Sequence, residues 1–159
     1  MITRIKRRLQ RLIKNPYELY ANNTELQQLF TGYKNAIILG SASSINKIEV
    51  TQYSEDMVIT VGNFYEHPQI EVIKPKVHIF AASHPPITTE VLINWWKRCN
   101  ERLPLETALL IEKRDKDIAE KVFIDRDIYY YSYGGHLPVD FTKPVMSPWS
   151  VTIIALQLA

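Results

Sequence analysis

From residue 36 onward, short apolar runs alternate with segments whose apolar residues recur at helical spacing. Residues 36–39, 57–61, 77–81, 107–111 and 127–133 each read as a strand. The first four are nearly continuous apolar runs, the pattern of strands covered on both faces. A short helix or turn is expected from Ser43 to about Val50. A longer helix, capped by Thr88 or Thr89, runs to about Arg102, with Val91, Leu92, Trp95, Trp96 and Cys99 on its buried side; Leu103-Pro104 closes it. Residues 115–121 read as a polar helical turn. Gly134-Gly135 ends the fifth strand, Pro138, Pro144 and Pro148 keep the next stretch extended, and a last helix begins at Ser150. Strands alternating with helices predict an α/β fold: a Rossmann-like, mostly parallel sheet of about five strands with flanking helices.

The first 34 residues follow another rule. Ile2, Ile5, Leu9, Leu12 and Ile13 fall at helical spacing, cations fill the other face, and Asn15-Pro16 ends the helix. A second short helix is expected over residues 23–31, capped by Asn23 or Thr24. The organisation is therefore a basic N-terminal helical segment, 1–34, and a nucleotide-binding domain, 35–159. That domain is expected to continue past Ala159, because the last helix carries no stop signal. Residues 1–35 hold seven Lys/Arg and two acids, whereas the remainder holds 12 basic and 15 acidic residues. The basic face suits adhesion to an anionic membrane surface, but basic helices are common and an ordinary packing or linker helix with a solvated face is the favoured reading.

Bulk properties narrow the classes. A net charge of +2 does not call for a nucleic-acid partner. Cys99 is the only cysteine, which excludes an internal disulfide and fits a reducing compartment. No apolar stretch approaches bilayer length and no signal-peptide pattern is seen. The expectation is a cytoplasmic protein, with peripheral contact at the inner membrane face through the basic helix.

The candidate chemistry gathers where strands end. Gly40-Ser41-Ala42-Ser43-Ser44 follows the first strand: a glycine, then small hydroxyl residues, the pattern of a turn that cradles a phosphate on main-chain N–H groups. Ser43 or Ser44 is expected to cap the short helix. Other carboxyl ends carry Gly62-Asn63-Phe64-Tyr65, Ala82-Ser83-His84 and Tyr133-Gly134-Gly135-His136, and ligands of parallel sheets bind beyond such ends. Asn63 and Tyr65 are placed for ribose or base contacts, while Phe64 reads as core. His84 and His136 are the candidates for acid–base work; His67 and His78 read as structural. Four histidines without paired spacing and one cysteine give no metal site. Ser150 opens the last helix, where its hydroxyl and the first N–H groups suit a phosphate or a simple cap. Of Trp95 and Trp96, a conceivable sugar platform, at least one belongs to the core. In Tyr129-Tyr130-Tyr131 the middle side chain points opposite to its neighbours. Asp125-Arg126-Asp127 precedes a strand and so stands at the wrong edge for a metal-binding Asp-x-Asp. Cys99 reads as core.

Read together, the first two edges resemble bacterial sialyltransferases of Rossmann-like fold. Gly40 to Ile45 is similar to that family's Gly-Asn-Gly-Pro-Ser-Leu opening, matching at Gly40, Ser44 and Ile45 and departing at Ser41, Ala42 and Ser43. Gly62-Asn63-Phe64-Tyr65 stands where the family has an Asn-x-Phe-Tyr segment, with its Asn one place later. Ser150 and the following Val-Thr-Ile-Ile-Ala-Leu look like the Ser-opened helix near the family's middle. Pterin-pyrophosphokinase-like domains share the same plan. The resemblance covers residues 36–159. It implies a sugar-nucleotide-dependent, inverting glycosyltransferase of surface polysaccharide or lipopolysaccharide assembly, or its nucleotide-binding half. It also implies a nucleotide sugar as donor rather than a tightly bound cofactor, with Gly40–Ser44, Asn63 and Ser150 as nucleotide-binding residues. The family's catalytic His would fall past Ala159. The alternative is a non-catalytic nucleotide-binding or interaction domain. Phosphoryl transfer to a pterin-like compound needs a Mg²⁺ site, and no pair of carboxylates is expected at the right edge.

Overall fold

The computed structural model describes Tyr20 and residues 22–134, 140–146 and 150–159. Five strands, β1 (Ala36–Leu39), β2 (Met57–Val61), β3 (Val77–Ile79), β4 (Ala108–Glu112) and β5 (Ile128–Tyr131), form one sheet in the order β1-β2-β3-β4-β5. Every pairing is parallel, with Leu39 opposite Thr60, Val61 opposite Ile79 and Leu110 opposite Tyr129. The protein is thus an α/β protein with a Rossmann-like sheet. β2 to β5 are buried at every position, which accounts for their continuous apolar runs.

The sequential strand order has a consequence for layering. Each crossover steps in the same direction, and right-handed crossovers then lie on one face. That face carries α2 (Ile70–Ile73), α3 (Thr89–Arg102) and α4 (Lys116–Val122), which bury Ile73, Trp96, Cys99 and Phe123 against Val58, Leu109 and Tyr130. The opposite face is covered by α1 (Asn23–Gln28) and α5 (Val151–Leu158). Leu26, Ile154 and Ala155 there meet Met57, Ile59, Ile79 and Leu110. Both clusters are needed to dry a sheet whose strands are apolar on both sides.

The helices are set by local chemistry. Thr88 caps α3, its hydroxyl accepting from Val91 N at 3.3 Å. The buried stripe of α3 is narrower than expected: Leu92, Trp96 and Cys99 are buried, but Val91 and Trp95 are 38% and 44% exposed. Residues 92, 96 and 99 follow one helical face, and 91 and 95 stand about 100° round it. At the C-terminus of α3 the buried Arg126 guanidinium donates to Asn100 Oδ1 and to the carbonyls of Asn100, Leu103 and Pro104 at 2.5–2.8 Å. Asp125-Arg126-Asp127 therefore stands at the amino end of β5, and its arginine serves the fold.

The α1 region differs from expectation. Asn22, not Asn23 or Thr24, is the N-cap, and it makes no side-chain capping bond. Asn23 is buried inside the helix, donating from Nδ2 to Tyr130 O at 2.7 Å and Phe141 O at 2.6 Å. It ties α1 to the edge strand β5, where a further parallel bridge joins Tyr133 to Val145. The region expected as a short helix or turn from Ser43 to about Val50 holds the 3₁₀ turn Ser43–Lys47, and a second, Val50–Tyr53, follows it. Serine, asparagine and β-branched residues give it little helical propensity. The basic helix expected over residues 2–14, His136, and Pro148-Trp149 lie outside the described residues. Among the described residues no helix is long and apolar enough to cross a membrane.

Candidate functional site: the carboxyl edge of the sheet

The β1–β2 half of this edge is built from small residues. Gly40 follows β1, and Ser41, Ala42, Ser43 and Ser44 are all exposed. The N-cap of the turn is Ala42, in extended conformation (φ −64°, ψ 146°), so neither Ser43 nor Ser44 is the cap. Its carbonyl accepts from Ile45 N at 3.0 Å, but its side chain has nothing to offer the next amides. Of the three other 3₁₀ turns among the described residues, Gly62–Glu66 likewise has no side-chain cap, and two begin in the same way as that after Ala42 and are closed by an acid. Glu49 accepts from Thr51 N at 3.3 Å, and Glu112 accepts from Arg114 N at 2.9 Å. At the equivalent place after Ala42 the amide of Ser44 has no side-chain acceptor among the described residues. An oxyanion from outside the chain would fill the position that a carboxylate oxygen fills in the two acid-capped turns.

The second strand ends against the first. Gly62 adopts φ +63°, a left-handed conformation that side chains strain, and a Cβ there would lie 3.3 Å from Ser41 Oγ. The two turns pack through glycine and serine, with exposed Asn63 beside them. Gly40 needs no such freedom; a Cβ on it would meet only Val61 Cγ2, at 3.7 Å. Tyr65, expected as a ligand contact, is instead buried and meets the His78 ring edge-on, and burial raises its phenol above the usual range. Its place two residues after Asn63 turns it under the sheet edge.

Beneath these turns the histidines are structural. His67 stacks on Phe64 with ring centroids 5.0 Å apart. His78 is fully buried in β3, with Nδ1 2.8 Å from Thr60 Oγ1. Burial lowers its pKa to about 3, the Gly62 backbone pulling weakly the other way. No well-aligned partner for its Nε2 is present among the described residues. The ring is therefore neutral. Cys99 is buried in α3, and burial pushes its thiol well above the ordinary value, so it is no nucleophile.

The β3–β5 half carries charge that strand-end reading overlooked. Asp115, only 3% exposed, accepts from Ser83 N at 2.9 Å and, through its other oxygen, from Ser83 Oγ in a short hydrogen bond. Glu112, also buried, accepts from Arg114 Nε at 2.8 Å. Tyr131 donates its hydroxyl to Phe80 O at 2.9 Å, and Lys113 lies over the Tyr20 ring. Two buried carboxylates thus stand at the edge where none was expected. The signal was the Glu112-Lys113-Arg114-Asp115 run directly after the fourth strand, the one carboxyl end left out of the sequence inventory. No cluster of three metal-ligating side chains occurs among the described residues. His84, exposed, has its Nδ1 3.0 Å from Pro85 O rather than beside a carboxylate. Ser150 is exposed at the start of α5 and makes no side-chain cap, and α5 packs on β1, β2 and β3.

The structure thus brings Gly40–Ser44, Gly62 and Asn63 together and adds Ser83, Glu112, Arg114 and Asp115 along the same edge. No protein-family model, no curated protein and no solved structure matches the chain.

Proposed function

We propose that the protein binds the phosphate of a nucleotide or nucleotide sugar at the Gly40–Ser44 turn and uses that nucleotide sugar as donor in glycosyl transfer. One observation carries the binding half. The turn at the end of β1, like the Gly62–Glu66 turn beside it, lacks the acidic cap of the Val50–Tyr53 and Lys113–Asp115 turns, and its Ser44 amide has no side-chain acceptor among the described residues. It also lies beside a second glycine turn, at the carboxyl ends of two neighbouring parallel strands. Ser150 would add a hydroxyl to the phosphate, and Asn63 would fix the nucleoside. The transfer half is supported by the resemblance of residues 36–159 to Rossmann-like sialyltransferases, which implies a role in surface polysaccharide or lipopolysaccharide assembly. The basic residues of segment 2–14 would hold the protein near membrane-bound acceptors on the cytoplasmic side.

A non-catalytic nucleotide-binding module is the second reading. The observation favouring it is His84, which is exposed and turned toward a carbonyl rather than a carboxylate. Thermal melting with CMP, UDP and GDP at millimolar concentration tests the shared claim, because a ligand of the folded state raises the melting temperature. A rise with one of them, reduced in Ser44→Ala and Asn63→Ala, is expected. No rise with any of the three refutes both readings. Release of free nucleotide from a sugar donor then separates enzyme from module.

A further inference from the structure

We propose that Ser83 and Asp115 form a proton relay that takes the proton of the acceptor hydroxyl during glycosyl transfer. The inference rests on the reading given above and names the base that reading lacks.

Asp115 is buried, a costly place for a carboxylate unless its oxygens are satisfied. Both oxygens are met by one residue, Ser83, through its amide and its hydroxyl. Because the serine proton is committed to Asp115, the lone pairs of Oγ are left to accept. Ser83 is half-buried on the loop after β3. The neighbouring strand is β2, whose end carries Gly62 and Asn63. A sugar attached to a nucleotide on those turns would extend along the edge toward this hydroxyl. Arg114 and Tyr131 interact electrostatically with Asp115, and both also with Glu112 and Tyr133.

The step balances. The acceptor oxygen forms a bond to the anomeric carbon, and the bond from that carbon to the phosphate oxygen breaks. The electron pair of that bond leaves with the nucleotide. The acceptor proton moves to Ser83 Oγ as the serine's own proton moves to Asp115 Oδ1. No oxidant, reductant or further reactant is required.

The alternative is that Asp115 only staples the loop after β3 to the loop after β4. The test uses the full chain with CMP-sialic acid, UDP-glucose and GDP-mannose as donors, and reads nucleotide binding separately from nucleotide release. Ser83→Ala keeps the amide bond to Asp115, so the staple persists. Asp115→Asn keeps an acceptor oxygen but no base. Both are expected to bind nucleotide as the wild type does and to release it roughly a hundred-fold more slowly, the usual scale for a lost general base. Ser83→Thr, which keeps the hydroxyl, should recover most of the rate. Folded variants that bind nucleotide and release it at the wild-type rate overturn the relay and leave the functional reading standing. Wild-type binding without release from any donor removes the transfer reading, and the relay with it. No wild-type binding removes the nucleotide reading itself.

Discussion

Ala42→Asp should make the protein more stable and its proposed ligand weaker at once. Ala42 is exposed and already has the extended backbone of Glu49 and Glu112, the two acids that cap their own 3₁₀ turns. An aspartate at 42 can reach the Ser44 amide as Glu49 reaches Thr51 N and Glu112 reaches Arg114 N. Supplying a missing cap stabilises by about 0.5–1 kcal/mol. For a domain of this size that raises the melting temperature by roughly 1–4 °C. The same carboxylate occupies the proposed phosphate position. At about 5 Å from a phosphate charge, with an effective dielectric between about 20 and 80, the repulsion is roughly 0.8–3 kcal/mol. That is a loss of about four- to a hundred-fold in affinity, and it should shrink at high salt. Differential scanning fluorimetry reads the first effect and isothermal titration with CMP, UDP or GDP the second. A variant that is stabilised and still binds at wild-type strength refutes the placement of the phosphate.

Other outcomes follow from the same geometry. Gly62→Ala should destabilise by about 1 kcal/mol, from the left-handed backbone and the close Ser41 hydroxyl. Gly40→Ala, with ordinary φ and an ordinary 3.7 Å contact, should be neutral or stabilising by up to about 1 kcal/mol; paired urea titrations compare the two. Arg126→Ala should cost about 2–4 kcal/mol in urea unfolding, because several acceptors at the end of α3 lose a charged donor. Arg126→Lys should not restore the loss, lacking the planar fork. His78 stays neutral when folded, with a pKa of about 3, but takes up a proton near pH 6.5 when unfolded. The unfolded state binds more protons between these values, so stability should fall as pH drops through that window, by about 1.4 kcal/mol per unit. His78→Gln should flatten that slope.

The sheet was legible because continuous apolar runs have few other uses in a chain of this length. All five strands stand where those runs stand, within one or two residues at most ends. Thr88 was legible as a helix start because cap chemistry is local; Ser150 also stands at the N-cap of its helix, though its side chain makes no capping bond. What failed depended on tertiary context. Asn23 looks like a cap, but its amide is claimed by Tyr130 and Phe141, more than a hundred positions away in the chain. Tyr65 follows Asn63 as a ligand residue would, yet the turn at Gly62 points it into the core beside His78. Trp95 and Trp96 are indistinguishable by type, and only the phase of α3 exposes one and buries the other. Asp115 could not be paired with Ser83 from sequence, because 32 residues separate them and the parallel order of β3 and β4 alone joins their ends.

The central claim is that main-chain amides at the end of β1 hold an anionic ligand. A backbone-amide NMR titration with CMP, UDP and GDP measures it residue by residue. Saturable shifts concentrated at residues 41–44 and 62–63 are predicted for at least one nucleotide. Shifts confined to other surfaces, or none at millimolar concentration, would contradict it.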